Sequence, residues 1–193
     1  FVGDLVDRGP DSPAVVRKVQ SLIQAGVAQC ILGNHEMNIL RGLTKQGNAW
    51  IFGKTESLDN TSTIHPQVAV NLTEREEMVN FFKKLPVALE REDLRVVHAC
   101  WDNSCVELIR NDPFSLETFE RHMIRIDREI ESHPAMDNID RGLRRQNHNP
   151  LKVLTSGPEQ RAPRPFEANG KIRKQERKRW WMDYKAQPFC VFG

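Results

Sequence analysis

Several apolar runs along the chain stop at a glycine and then turn polar. Phe1-Val2 gives way to Gly3-Asp4, Cys30-Ile31-Leu32 to Gly33-Asn34-His35, and Phe189-Cys190-Val191-Phe192 ends at Gly193. That is the signature of buried strands that deliver polar side chains at their C-terminal ends. Between the first two runs, Asp11-Ser12-Pro13 predicts a helix start, with a capping side chain followed by a proline whose missing N–H is not needed. Val15, Val16, Val19, Leu22 and Ile23 then recur at helical spacing, and Gly26 closes the helix. A strand through Ala28–Leu32 completes a βαβ unit, with Phe1-Val2 and Cys30–Leu32 expected to lie parallel in one sheet.

Further along, His35 to about Leu43 predicts a helix, and Gly47–Pro66 an irregular segment over the site. Thr73-Glu74-Arg75-Glu76 predicts a capping box opening a helix whose Met78, Phe81, Phe82 and Leu85 face the core. Val87–Glu90 and Leu94–Ala99, joined by Arg91-Glu92-Asp93, predict a β-hairpin. Ser115–Glu131 predicts a helix with Leu116, Phe119, Met123, Ile126 and Ile130 on one face. Asp137–Asn149 is polar and is expected to be loop, Leu151–Leu154 a short strand, and Arg161–Arg179 basic and irregular.

Composition adds bounds. The 193 residues carry a formal net charge of +2, with 28% charged and 39% hydrophobic side chains, ordinary for one globular domain. Residues 1–193 are expected to form that single domain. No apolar run approaches the ~20 residues that cross a bilayer, so no membrane partner is expected. The scattered Cys30, Cys100, Cys105 and Cys190 predict buried free thiols and a reducing, cytoplasmic setting.

The chemistry gathers at the glycine-terminated runs. Gly3-Asp4-Leu5-Val6-Asp7-Arg8-Gly9 and Gly33-Asn34-His35-Glu36 present a carboxylate, an amide oxygen, an imidazole and a guanidinium. The first three suit a divalent cation and the fourth suits phosphate oxygens. These two stretches resemble the GDxVDRG and GNHE motifs of the calcineurin-like metallophosphoesterases, most closely the serine/threonine protein phosphatase branch and its bacterial relatives. Val96-Val97-His98-Ala99 is similar to that family's strand ending in a metal-binding histidine.

The resemblance implies a fold and a division of labour. The fold is α/β (α+β), a four-layer α-β-β-α metallophosphatase sandwich with two mixed sheets, here incomplete at its N- and C-terminal edges. Asp4, Asn34 and His98 would be metal ligands, for two divalent ions drawn from Mn, Fe, Zn or Ni. His35 would act as the general acid, Asp7 as its partner, and Arg8 with Asn34 would bind substrate phosphate. The implied reaction is in-line hydrolysis by a water activated between two ions. Plainer roles stay open from the residues alone: Asn34 as a helix cap, Asp7 as a salt-bridge partner of Arg8, Trp101 as either site wall or core.

The family's upstream Asp-x-His and its late histidine are absent from the 193 residues, so this chain is expected to hold its metals weakly and turn over poorly. A second phosphate-binding arginine is sought among Arg161, Arg164 and Arg173. The implied function is a metal-dependent phosphoesterase, foremost of serine/threonine protein phosphatase type. Diadenosine polyphosphate hydrolysis and RNA-repair phosphatase activity stand next. A non-catalytic binder of phosphorylated or nucleic-acid ligands is the contrasting class. The expected partner is thus a phosphorylated protein or a nucleotide. Nucleic acid is less favoured, because the basic stretch through Arg179 reads first as a solvated face beside buried tryptophans.

Overall fold

The computed structural model describes residues 1–54, 67–112, 115–168, 170–185 and 187–193. Among them the chain is mixed α/β, with seven α-helices and two small sheets, consistent with a metallophosphatase α/β sandwich. It divides into two compact units, Phe1–Pro86 and Val87–Gly193.

The first unit is built on helices. Helix α1 (Ser12–Gln24) starts as its sequence predicts: Asp11 accepts from Ala14 N and Pro13 sits in the first turn. Val16 and Val19 are buried, whereas Val15 lies on the outer side of the helix. Helix α2 (Asn34–Leu40) follows the second glycine-terminated run. Helix α3 (Leu72–Lys84) is capped by Asn71 and not at Thr73. Asn71 Oδ1 accepts from Glu74 N while Glu74 Oε2 accepts from Asn71 N. The stripe of α3 packs as expected, with Met78, Phe82 and the following Leu85 buried.

The expected βαβ start is present in reduced form. Phe1 N donates to Gln29 O at 2.8 Å and Ile31 N donates to Phe1 O at 3.1 Å, the alternation of a parallel pair. This is one rung, short of a strand. Cys30, Ile31 and Leu32 are nevertheless buried, and Leu32 N donates onward to Pro86 O. Their apolar character reports burial rather than a sheet. The predicted irregular segment contains a 3-10 turn at Ala49–Phe52 that buries Trp50 and Ile51; its residues 55–66 lie outside the described residues.

The second unit holds both sheets. Strands β1 (Ala88–Glu90) and β2 (Leu94–Val97) form the predicted antiparallel hairpin. On the other side of β2 runs β5 (Phe189–Val191), parallel, with Arg95 opposite Cys190. This sheet is therefore mixed. Helices α4 (Asn103–Ile109) and α5 (Ser115–Glu131) follow the hairpin, and Phe119, Ile126 and Ile130 of α5 are buried on the face predicted for them.

Three expectations are corrected here. Residues 137–149 are not loop: Asp137 caps helix α6 (Asn138–Asn147) by accepting from Ile139 N and Asp140 N. The 151–154 run is not a strand but the middle of helix α7 (Pro150–Ser156), capped by Asn149 with proline in its first turn. A four-residue apolar run has too few positions to tell strand from buried helix, so the Asn-Pro start decides. Finally, the basic stretch is an antiparallel ribbon, β3 (Glu159–Ala168) with β4 (Lys171–Arg177). Its register slips between Arg161 and Phe166, where Pro163 and Pro165 cannot donate to a ladder. Those prolines hid the strand in the sequence.

The polarity of α6 has a use. Asn147 Nδ2 donates to Glu159 O and Asn147 Oδ1 accepts from Glu159 N, each at 2.8 Å. Gln175 of β4 donates to Ile139 O, and Arg161 pairs with Asp137 and Asp140. The helix is polar because it seats the ribbon through hydrogen bonds.

Candidate active site

In the first unit, two loops are pinned together by one carboxylate. Glu36, fully buried in the first turn of α2, accepts from Gly33 N at 3.0 Å, Asp4 N at 3.0 Å and Leu5 N at 2.7 Å. The two glycine-terminated runs meet at this side chain. Burial, reinforced by the charge of Asp4, pushes its carboxyl up, and the backbone N–H donors oppose that shift. Gly33 has no room for a side chain: a Cβ there would lie 2.5 Å from both Asp4 N and Asp4 Oδ1, and 2.8 Å from Glu36 Oε2. The glycine serves close approach, since its own φ of −98° is available to any residue.

The turn from Gly3 is left-handed. Gly3, Asp4 and Asp7 have φ of 85°, 52° and 84°, and two non-glycine residues in that region mark a backbone held in place by its surroundings. Asp4 Oδ1 accepts from His35 N at 3.1 Å, and Asp4 Oδ2 lies 3.8 Å from His35 Nε2. On the other side of the ring, His35 Nδ1 is 2.7 Å from Asp7 Oδ2. The imidazole thus stands between two carboxylates. The hydrogen bond to Asp7 raises its pKa above the usual 6.5; burial opposes this, the charges of Asp4 and Asp7 add to it, and Arg8 works against it.

Asp7 is itself held. Its Oδ1 accepts from the Trp50 indole N–H at 3.0 Å and its backbone N donates to Ser12 Oγ at 3.0 Å. Ser12 in turn donates to Gln67. Asp7 is no salt-bridge partner of Arg8. Arg8 is exposed and has no ion-pair partner among the described residues, which leaves its planar fork open to an oxyanion. Asn34 is the first residue of α2, behind the capping position occupied by Gly33, so its amide does not serve as the helix cap.

Glu36 and Trp50 were missed in the sequence. Glu36 could have been found from its place three residues after Gly33, where a glutamate folds back on the start of its own helix. Trp50 was signalled only by an apolar pair, Trp50-Ile51, inside a polar stretch.

His98 belongs to the second unit. It follows β2 directly and is buried, its carbonyl accepting from Gly193 N at 2.9 Å. Ala99 N donates to Leu154 O at 2.8 Å and Ala99 O accepts from the Trp180 indole at 2.8 Å. Both neighbours hold the turn after β2 in one geometry. Of the arginines considered for a second phosphate contact, Arg161 is committed to Asp137 and Asp140, while Arg164 and Arg173 are exposed on the ribbon. The tryptophans beside the basic stretch are not buried: Trp180 is half-buried and Trp181 is 46% exposed.

The donor set of the first unit fits a divalent cation. Asp4 offers a carboxylate that is 26% exposed, and Asn34 carries an amide oxygen in the residue before His35. The carboxyls of Asp7 and Glu36 lie on the same two loops, and the Arg8 guanidinium acts electrostatically on His35. Hard oxygen donors in an acidic turn are what such ions take. Among the described residues, no three His, Cys, Asp or Glu side chains come together as a metal-holding group.

Comparison with known proteins agrees with this chemistry. Residues 1–154 match the family described as calcineurin-like phosphoesterase. A symmetrical bis(5'-nucleosyl)-tetraphosphatase of Ralstonia nicotianae is 31% identical over 102 residues, covering 51% of this chain and 31% of that protein. The enzyme of the same name from Janthinobacterium sp. is 34% identical over 102 residues, with the same shares. That of Aeromonas salmonicida is 32% identical over 127 residues, 58% of this chain and 42% of the relative. The chain thus spans about a third of the length of the relatives it matches. No solved structure matches it. The relatives carry the name of the nucleotide-cleaving class that stood second in the sequence, ahead of the protein phosphatases that stood first.

Proposed function

The chain belongs to the calcineurin-like phosphoesterase family, and from that premise we propose that it hydrolyses phosphoric anhydrides of dinucleoside polyphosphates. The observation that carries the chemistry is His35 set between Asp7 and Asp4, 2.7 Å and 3.8 Å away. The names of the relatives carry the substrate class.

Asp4, Asn34 and His98 are the residues proposed to hold divalent cations, which when bound supply positive charge at the phosphoryl group and a more acidic water. The remaining work falls to side chains of the first unit. Asp7 orients the His35 ring by accepting a hydrogen bond from Nδ1–H, so the proton available to a leaving oxygen sits on Nε2. Trp50 and Ser12 keep Asp7 from turning away. Arg8 neutralises non-bridging phosphate oxygens through its fork. Glu36 orders the two loops and does not touch substrate.

The test is to incubate the purified protein with manganese and diadenosine tetraphosphate and separate the products. ADP as sole product, lost with Asp4→Asn, supports the reading. No hydrolysis that depends on Asp4 would overturn it. Release of phosphate from a phosphoserine peptide in preference to nucleotide cleavage would return the function to the protein phosphatase class.

A further inference from the structure

The second unit contains a pocket of about 480 Å³ lined by Cys100, Trp101, Asp102, Lys178, Arg179, Trp180, Asp183 and Tyr184, among others. Its size falls in the range of small-molecule sites, roughly 300–1,000 Å³. It opens immediately after the turn that carries His98, and the Trp180 indole is bonded to the carbonyl of Ala99 in that turn.

The aromatic walls are fixed before any ligand arrives. Trp101 donates its indole N–H to Asn103 Oδ1 at 2.8 Å. Tyr184 donates to Pro188 O at 2.8 Å and accepts from Arg95. Trp180 packs edge-on against Tyr184 and Phe192, with ring centroids 5.5 Å and 4.9 Å away. With its indole N–H already bonded to Ala99 O, the half-buried Trp180 can offer a ligand only ring surface, whereas Trp101 is buried with the Arg95 guanidinium 4.8 Å from its ring centroid. Such surface takes a flat, aromatic group by stacking. Polar recognition is left to Lys178, Arg179 and Asp183, whose side chains are exposed and have no hydrogen-bond or ion-pair partner among the described residues. Asp102 is occupied capping α4.

From this combination we infer that the pocket is a nucleotide subsite, the Trp180 ring stacking on a base while Lys178 and Arg179 hold the attached phosphates. Asp183 supplies an acceptor for a ribose hydroxyl or an exocyclic amine. The inference rests on the proposed nucleotide chemistry for the identity of its ligand, and it assigns recognition to residues outside the family's motifs. It gives the basic ribbon end a purpose other than gripping a nucleic-acid backbone: two cations beside one stacking wall suit a mononucleotide unit.

The experiment is calorimetric titration of the metal-free full chain with ADP and, separately, with inorganic pyrophosphate. ADP binds at least roughly tenfold tighter than pyrophosphate, the increment one stacked base supplies. Trp180→Leu removes that increment and leaves pyrophosphate binding within about twofold. Because Trp180 also supports the Ala99 turn, a second variant reverses only exposed charges: Lys178→Glu with Arg179→Glu weakens both ligands. Equal affinity for ADP and pyrophosphate overturns the inference, as does ADP binding unchanged in both variants or a phosphoserine peptide that binds as well as ADP. Binding is read without turnover. Loss of the pocket's selectivity with intact Asp4-dependent hydrolysis rejects the subsite alone, and selective ADP binding without hydrolysis rejects the catalytic reading alone.

Discussion

Asp7 and His35 are joined at 2.7 Å, Oδ2 to Nδ1, while the other oxygen of Asp7 is occupied by Trp50. The pair is oriented from behind, which leaves the far edge of the imidazole toward Asp4. Asp7→Asn keeps the shape and tolerates the left-handed backbone, but it removes the charge. In the metal-free protein, NMR titration should show wild-type His35 above the ordinary 6.5 and the variant's His35 well below the wild-type value. The raised pKa stabilises the fold below the unfolded-state pKa, and that contribution is lost as pH rises through the folded pKa. Asp7→Asn should therefore lose stability mainly at acidic pH, relative to wild type. On the proposed reading of His35 as general acid, the variant should also lower kcat on the order of 10²-fold.

The buried carboxylate of Glu36 predicts a stability effect instead. Glu36→Ala leaves the N–H groups of Gly33, Asp4 and Leu5 without their acceptor. An orphaned buried donor costs about 1–3 kcal/mol; the Gly33 bond is buried and the other two are part-buried, so urea denaturation should show a loss of at least about 1–3 kcal/mol. An unchanged midpoint would mean that the two loops are held by something else.

Two glycines serve as a matched pair. Gly33→Ala drives a methyl into Asp4 and Glu36, and its thermal unfolding should fall by the amount typical of an overpacked core, about 1–3 kcal/mol. Gly9→Ala meets nothing within 4 Å and should be close to neutral. The contrast separates crowding from backbone freedom, because neither position has a positive φ.

How much of this was legible beforehand follows from length scale. The sequence proposes Asp4, Asp7, Asn34 and His35 because glycine-terminated apolar runs and their polar ends are local features, and the structure brings Asp4, Asp7 and His35 together. Glu36 stood in the same tetrapeptide and went unassigned, since its partners Asp4 and Leu5 are some thirty positions away. Trp50 came from a segment with no periodicity at all. In the second unit, α6 was hidden by polar residues that satisfy the ribbon, and β3 by prolines at its bulge. Helix α7 shows the reverse error: Leu151–Leu154 is apolar enough for a strand, and only Asn149-Pro150 before it specifies a helix.

The cysteines give an independent check of burial. Desolvation pushes the Cys30 thiol up to about 11 and the Cys100 thiol up to about 12, and all four cysteines are free. At pH 8 neither Cys30 nor Cys100 should react with a disulfide reagent until the chain is unfolded, because the thiolate is the reactive form. Peptide mapping of the labelled native protein would show this directly.

The central claim is the proposal that Asp4, in the first unit, and His98, in the second, hold divalent cations. Manganese binding followed by electron paramagnetic resonance tests it most directly, on the wild-type chain, Asp4→Asn and His98→Gln, with folding of each verified by circular dichroism. Asparagine is tolerated at the left-handed φ of residue 4, so the variant isolates the lost charge. The account predicts that the wild type binds manganese and that each variant weakens binding by roughly tenfold or more, the scale of losing one ligand interaction. Manganese affinity unchanged in Asp4→Asn would contradict it.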